Sequence, residues 1–108
     1  MTIPFSDFQK LDMRVGTIKE AERIEGSRKL VKLTADIGSE TRQIIAGIGG
    51  VYAPENLIGR QCIFAVNLEP RMLMGLESQG MLLAPSDDDG KPVLLIPERP
   101  VEPGAAIH

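Results

Sequence analysis

The 108-residue sequence predicts an all-β domain, a five-stranded barrel with a short helix after its third strand. Three observations carry that expectation. Apolar and polar residues alternate at period two in several short stretches, the spacing of a strand that buries one face. Clusters of Gly, Ser, Asp and Pro separate those stretches at short intervals. Residues 47–59 alone break the pattern, with Gly47, Gly49, Gly50 and the step Ala53-Pro54-Glu55, a composition suited to helical turns between two strands.

The first strand is Met13–Arg23, in which Met13, Val15 and Thr17 oppose Arg14, Gly16 and Ile18. Gly16 marks a bend or bulge of the kind a tight barrel needs. Beyond the turn Glu25-Gly26-Ser27, residues Lys29–Ile37 form the second strand, with Val31, Leu33, Ala35 and Ile37 on one face and Lys32, Thr34 and Asp36 on the other. Gly38-Ser39-Glu40 turns the chain into Thr41–Ala46, the third strand. Gln61–Leu68 is the fourth and Met81–Ala84 the fifth, and Val93–Ile96 reads as a further strand after the Asp-Gly turn at Asp89-Gly90. This order describes a small Greek-key barrel of the oligonucleotide/oligosaccharide-binding (OB) type, whose sheet face and adjoining loops bind oligonucleotides. A sandwich or an SH3-like barrel fits the same strand pattern.

Residues 1–108 form one domain, in which 1–12 and 91–108 are extensions of the barrel. Phe5 and Phe8 in the first, and Leu94 and Ile96 in the second, are apolar side chains that need a cover. A two-fold dimer supplies one through a self-complementary patch, and these four residues are its expected interface. Packing on their own barrel is the other solution.

Composition narrows the function classes. Hydrophobic residues make up 43% of the chain, enough for a core. Net charge is −3, against indiscriminate nucleic-acid binding, but the charge is segregated. Residues 1–72 carry ten Lys/Arg against nine Asp/Glu, and residues 73–108 carry two against six, with Asp87-Asp88-Asp89 at a turn. No apolar run approaches the roughly 20 residues of a membrane span. The first residues lack the basic and apolar segments of a signal peptide. A lone Cys62 in a strand is expected to pack as a small apolar side chain in a reducing compartment. These features predict a cytoplasmic protein. The single histidine is His108, so no Ser–His or Cys–His pair stands on a rigid element, and no set of zinc or calcium ligands is spaced along the chain. We expect no enzyme activity, no metal and no cofactor.

The stretch Asn67–Met81 carries the strongest functional signal. It holds Arg71 among Met72, Met74 and Met81, and an ordinary surface turn has no use for that set. Methionine is a polarizable, adaptable contact residue. Arginine clamps phosphate and stacks on planar groups. A flat, anionic partner such as nucleic acid fits both. Lys32 and Arg42 fall on the polar faces of adjacent strands and extend a cationic strip with Arg71; Arg28 and Lys29 in the preceding turn add to it. Asn67 can reach a base or close its own turn. The strands lack aromatic stacking platforms, which favours a folded RNA read by shape and backbone.

These residues lie in elements that resemble a known family. Phe5-Ser-Asp-Phe-Gln-Lys-Leu-Asp-Met-Arg-Val-Gly16, Gly26-Ser-Arg-Lys-Leu-Val-Lys-Leu33, Asp36-Ile-Gly38, Arg42-Gln-Ile-Ile-Ala-Gly-Ile48, Asn67-Leu-Glu-Pro-Arg71 and Gly75-Leu-Glu-Ser-Gln-Gly-Met81 run in family order over nearly the whole chain. They are similar to the tRNA-binding domain at the C-terminus of many methionyl-tRNA synthetases and in free-standing structure-unspecific tRNA-binding proteins. The resemblance implies an OB barrel dimerised through its extensions, contacting tRNA without catalysis, with service to a methionyl-tRNA synthetase in trans as one role open to it. It also implies tRNA-contacting roles for Ser78 and Met81. A related branch, the CsaA-type secretion chaperones that bind peptides, is the alternative; the turn Ser27–Leu30 and the ending Ser78–Met81 favour the tRNA branch. Met72 departs from the family pattern, which has a lysine there.

Overall fold

The computed structural model describes residues 1–108. In chain order it contains α1 (Phe5–Gln9), β1 (Met13–Arg23), β2 (Val31–Asp36), β3 (Thr41–Ala46), a 3₁₀ turn (Pro54–Asn56), β4 (Gln61–Ala65), β5 (Arg71–Leu73), β6 (Leu76–Ser78) and β7 (Met81–Leu82). Five strands form one antiparallel sheet in the order β3-β2-β1-β4-β7. The last strand returns beside the first of that order, where Gln79 N–H donates to Gln43 O at 2.7 Å. The sheet is thus a nearly closed barrel with the predicted Greek-key connection, and β5–β6 is a separate hairpin between its last two strands.

Strand β1 is long because it serves two partners. Met13–Thr17 pairs with β4 and Thr17–Arg23 with β2, and a register shift between Ile18 and Glu20 lets the strand change direction. The bulge predicted at Gly16 therefore lies at Ile18–Glu20. Gly16 instead makes room for an aromatic ring, since a Cβ there would stand 2.8 Å from the Phe64 side chain. Phe64 is fully buried with Ile18, Leu33, Ile44 and Leu57. Each such side chain contributes about 1.5–3 kcal/mol through burial. On β2, Val31, Leu33 and Ala35 are buried and Lys32, Thr34 and Asp36 half-buried, as the alternation predicts. Asp36 ends the strand by accepting the Gly38 N–H at 2.8 Å.

Several boundaries differ from expectation. The fourth and fifth strands are shorter than Gln61–Leu68 and Met81–Ala84, and the link over 47–59 holds a single 3₁₀ turn opened by Pro54. Val93–Ile96 is not a strand. It lies between Pro92 and Pro97, and Val93 N–H reaches only Pro85 O at 2.8 Å, so no ladder forms. Helix α1 and the β5–β6 hairpin are additions that the sequence pattern does not predict.

The C-terminal extension is largely bound to its own barrel. Where β2 leaves the edge of β1 free, residues 104–107 fill it: Val15 N–H donates to Ala105 O at 2.9 Å, Gly104 N–H to Val15 O at 2.7 Å, and Ile107 N–H to Met13 O at 2.9 Å. Gly38 and Gly104, with φ of 94° and 90°, pack against each other's loops; a Cβ on Gly104 would collide with Ile37 O. The Gln61 amide both donates to Val101 O and accepts its N–H, at 2.7 and 3.0 Å. Leu94 packs on the core, and its N–H meets Tyr52 Oη at 3.3 Å. Phe5 (70% exposed), Phe8 and Ile96 remain uncovered, with the two rings 6.1 Å apart. No helix is long and apolar enough to cross a membrane.

Cys62 is fully buried on β4, and burial pushes its thiol up to about 11, a rise that the nearby Arg60 charge partly offsets. The folded state therefore favours the neutral thiol. This preference is complete below the ordinary value of 9.0 and is lost as pH rises from 9.0 through about 11. At pH 8 we expect Cys62 to react with Ellman's reagent only after urea unfolding, and rapid labelling of the native chain would contradict this packing.

Candidate nucleic-acid interface

The barrel closes along a seam built mostly from side chains. Ser78 Oγ accepts the Ile45 N–H at 2.9 Å and donates to Gly80 O at 2.9 Å. Gln79 Oε1 accepts the Gln43 N–H at 3.0 Å, and Gln43 Nε2 donates to Glu77 O at 2.8 Å. Gly80, at φ 148°, passes so close to β4 that a Cβ would stand 2.7 Å from Ala65 O. These contacts replace a regular ladder between β3 and the chain entering β7.

From that seam the hairpin β5–β6 projects outward. Arg71 pairs with Ser78 and Leu73 with Leu76, and Met74-Gly75 makes the two-residue turn, both at positive φ (52° and 78°). Two such residues define the twist-compatible type I′ turn. The Met74 methyl lies 3.5 Å from where a Cβ on Gly26 would be, so the hairpin tip leans on the β1–β2 loop. Between them runs a groove of about 340 Å³ lined by Leu30, Ile45, Ile48, Leu73, Met81 and Arg71, among others.

The structure divides the predicted contact residues into two groups. Arg28, Lys29, Arg71 and Met81 are exposed at this groove or on the loop beside it, and none of the three cations has a carboxylate partner. The others have structural partners. Lys32 pairs with Glu22 at 2.6 Å. Arg42 pairs through Nε with Glu40, and its Nη1 donates to Val66 O at 2.8 Å and Gln79 O at 3.0 Å. Asn67 Oδ1 accepts the Asp12 N–H at 2.7 Å and Nδ2 donates to Lys10 O at 2.6 Å, which ties the N-terminal arm to the end of β4. Ser78 is buried in the seam. Lys32, Arg42 and Arg71 thus do not make one continuous cationic strip.

Sequence reasoning missed Arg23. Its Nη1 donates to Gly49 O at 2.7 Å and Arg28 O at 3.2 Å, which fixes the β1–β2 loop against the segment after β3. Only its place at the end of a strand, with a glycine-rich stretch elsewhere to receive it, hints at this.

A family model described as "Putative tRNA binding domain" matches residues 13–106. The chain belongs to this tRNA-binding domain family. It is 55% identical over 106 residues to a methionine--tRNA ligase of Methanothrix thermoacetophila, a match that covers 98% of this chain and 16% of that enzyme. The chain therefore spans only a small part of the length of such relatives. Among solved structures it is similar to a MetRS related protein from Pyrococcus horikoshii, with a TM-score of 0.94, 41% identity, and 100% and 99% of the two chains covered. It is also similar to the chaperone CsaA of Bacillus anthracis, with a TM-score of 0.92, 33% identity and full coverage of both. Its relatives thus include both a small part of a large enzyme and chains of about this length.

In this tRNA-binding domain the Ser78 hydroxyl satisfies a buried N–H. Ser78→Ala removes its acceptor and is expected to cost about 1–3 kcal/mol, read from urea unfolding followed by circular dichroism. A loss below a few tenths would mean that the seam does not depend on it.

Proposed function

We propose that the chain binds tRNA without catalysis, as a homodimer, at the groove between the β1–β2 loop and the β5–β6 hairpin. The observation that carries this reading is the set of unpaired cations Arg28, Lys29 and Arg71 around an apolar groove in a tRNA-binding domain. In a chain of net charge −3, Arg14, Lys32 and Arg42 are neutralised by Asp12, Glu22 and Glu40, and Lys19, Arg60 and Lys91, which also have no carboxylate partner, do not line this groove. Free cations near an OB-type sheet face are available to phosphates. Arg71 clamps a phosphate or stacks on a base, while Met72, Met74 and Met81 supply adaptable apolar contact. Lys32 flanks the site, and Arg42, Asn67 and Ser78 support it from behind.

The likeness to methionine--tRNA ligases supports a role beside such an enzyme, holding tRNA near a catalytic subunit and adding affinity through a second point of attachment. Phe5, Phe8 and Ile96, exposed at the two extensions, are the proposed dimer surface. Leu94 instead packs against the core. A second reading, peptide binding, draws on the likeness to the chaperone CsaA and on the exposure of Met72 (66%) and Met74 (56%). Competition between tRNA and an unfolded client distinguishes the two.

In filter binding with mixed tRNA, affinity is expected to fall as salt rises, and Arg71→Ala to reduce the salt slope by about one while weakening different tRNAs alike. No retention at low salt, or retention indifferent to salt, contradicts the proposal. Light scattering at micromolar concentration is expected to give twice the 11.7 kDa chain mass, with Phe5→Ser/Phe8→Ser shifting it toward one. A monomeric mass for the unsubstituted chain removes the dimer.

A further inference from the structure

We infer that Arg42 is a positioning residue, a clamp that holds both feet of the β5–β6 hairpin and so aims Arg71 at its ligand; this rests on the groove proposed above. Chain 67–78 leaves the barrel after Val66 and re-enters at Gln79. One nitrogen of Arg42, Nη1, donates to the carbonyl oxygens of both residues, at 2.8 and 3.0 Å. The opposite edge of the guanidinium pairs with Glu40 through Nε. Few side chains other than arginine can satisfy two carbonyls and a carboxylate at once from a single planar group. Hydrogen bonds to a charged donor contribute more than neutral ones, so the two feet are held at a fixed spacing.

The surroundings of Arg42 argue against direct contact with phosphate. The groove beside it is lined by Glu40, Glu69 and Glu77, together with Asn67 and Gln79. All three carboxylates are exposed, which makes this side unfavourable for a polyanion. Its charge is used inward, across the neck. Arg71 stands on the first strand of the hairpin held this way, and the hairpin tip meets the β1–β2 loop that carries Arg28 and Lys29. Spreading the neck moves Arg71 and Met74 together, away from that loop.

Arg42→Lys and Arg42→Gln separate a clamp from a phosphate contact when tRNA affinity is measured over a salt series and amide hydrogen exchange is followed in the free protein. Lysine keeps the charge but not the planar fork. We expect both variants to bind about tenfold more weakly, as a tenfold drop in the competent hairpin population gives. Their salt slope should stay at the unsubstituted value, with faster exchange at 71–78 and unchanged exchange in β1, β2 and β4. Lysine rescue combined with a loss of about one in the slope of Arg42→Gln would make Arg42 a phosphate contact and overturn the inference. Unchanged exchange at 71–78 in both variants would overturn it as well. Should Arg42→Gln fail to fold, Glu40→Gln changes only the exposed outer partner and is expected to speed exchange at 71–78 alone; no change there also overturns the clamp. An unsubstituted chain that binds no tRNA at low salt defeats the groove reading, whereas the exchange measurement tests the clamp in the absence of tRNA.

Discussion

A sheet of this size becomes a barrel only if its first and last strands meet, and here that meeting is made largely by side chains. β7 is two residues long, too short to build a ladder with β3. Ser78, Gln79 and Gln43 supply the missing donors and acceptors, and Gly80 allows the chain to pass within contact of β4. Polar groups left without partners along this seam would each cost about 1–3 kcal/mol. The position of the outer hairpin, and with it the groove, follows from this closure.

The arrangement accounts for the mixed character of the stretch that follows β4. Its polar residues nearest the barrel, Asn67, Ser78 and Gln79, are committed to structure, whereas Arg71, Met72 and Met74 are displaced outward by the hairpin and meet solvent. One sequence segment therefore serves two purposes, separated by distance from the seam. The same division applies to the cations. On the barrel wall Arg14, Arg23, Lys32 and Arg42 have a carboxylate or carbonyl opposite them, whereas Arg28, Lys29 and Arg71 on the loops and hairpin have no carboxylate partner. A modest excess of acid over the whole chain is thus compatible with a locally basic rim.

Much of the barrel is legible in the sequence because its signals are local. Period-two alternation marks β2, and the bounds of β1 and β3 follow from the turns beside them. The hairpin is not legible, because three-residue strands are too short for periodicity, and its turn relies on Met74 at positive φ, an uncommon choice. Val93–Ile96 misleads for the opposite reason: four apolar residues in a row suit a strand, but the pattern cannot show whether any edge is free to pair with them. The roles of Arg42 and Asn67 depend on partners 24 to 57 positions away, which no local spacing encodes. A charge and an amide on the polar side of an element look the same whether they face a ligand or a neighbouring carbonyl.

The chain between Gly104 and Ile107 lies along the start of β1, on the edge opposite β4 that β2 does not reach. Strand edges with open donors and acceptors recruit other chains indiscriminately. By capping that edge with its own backbone, anchored where Gly38 and Gly104 interlock, the protein closes it to strand addition by another chain.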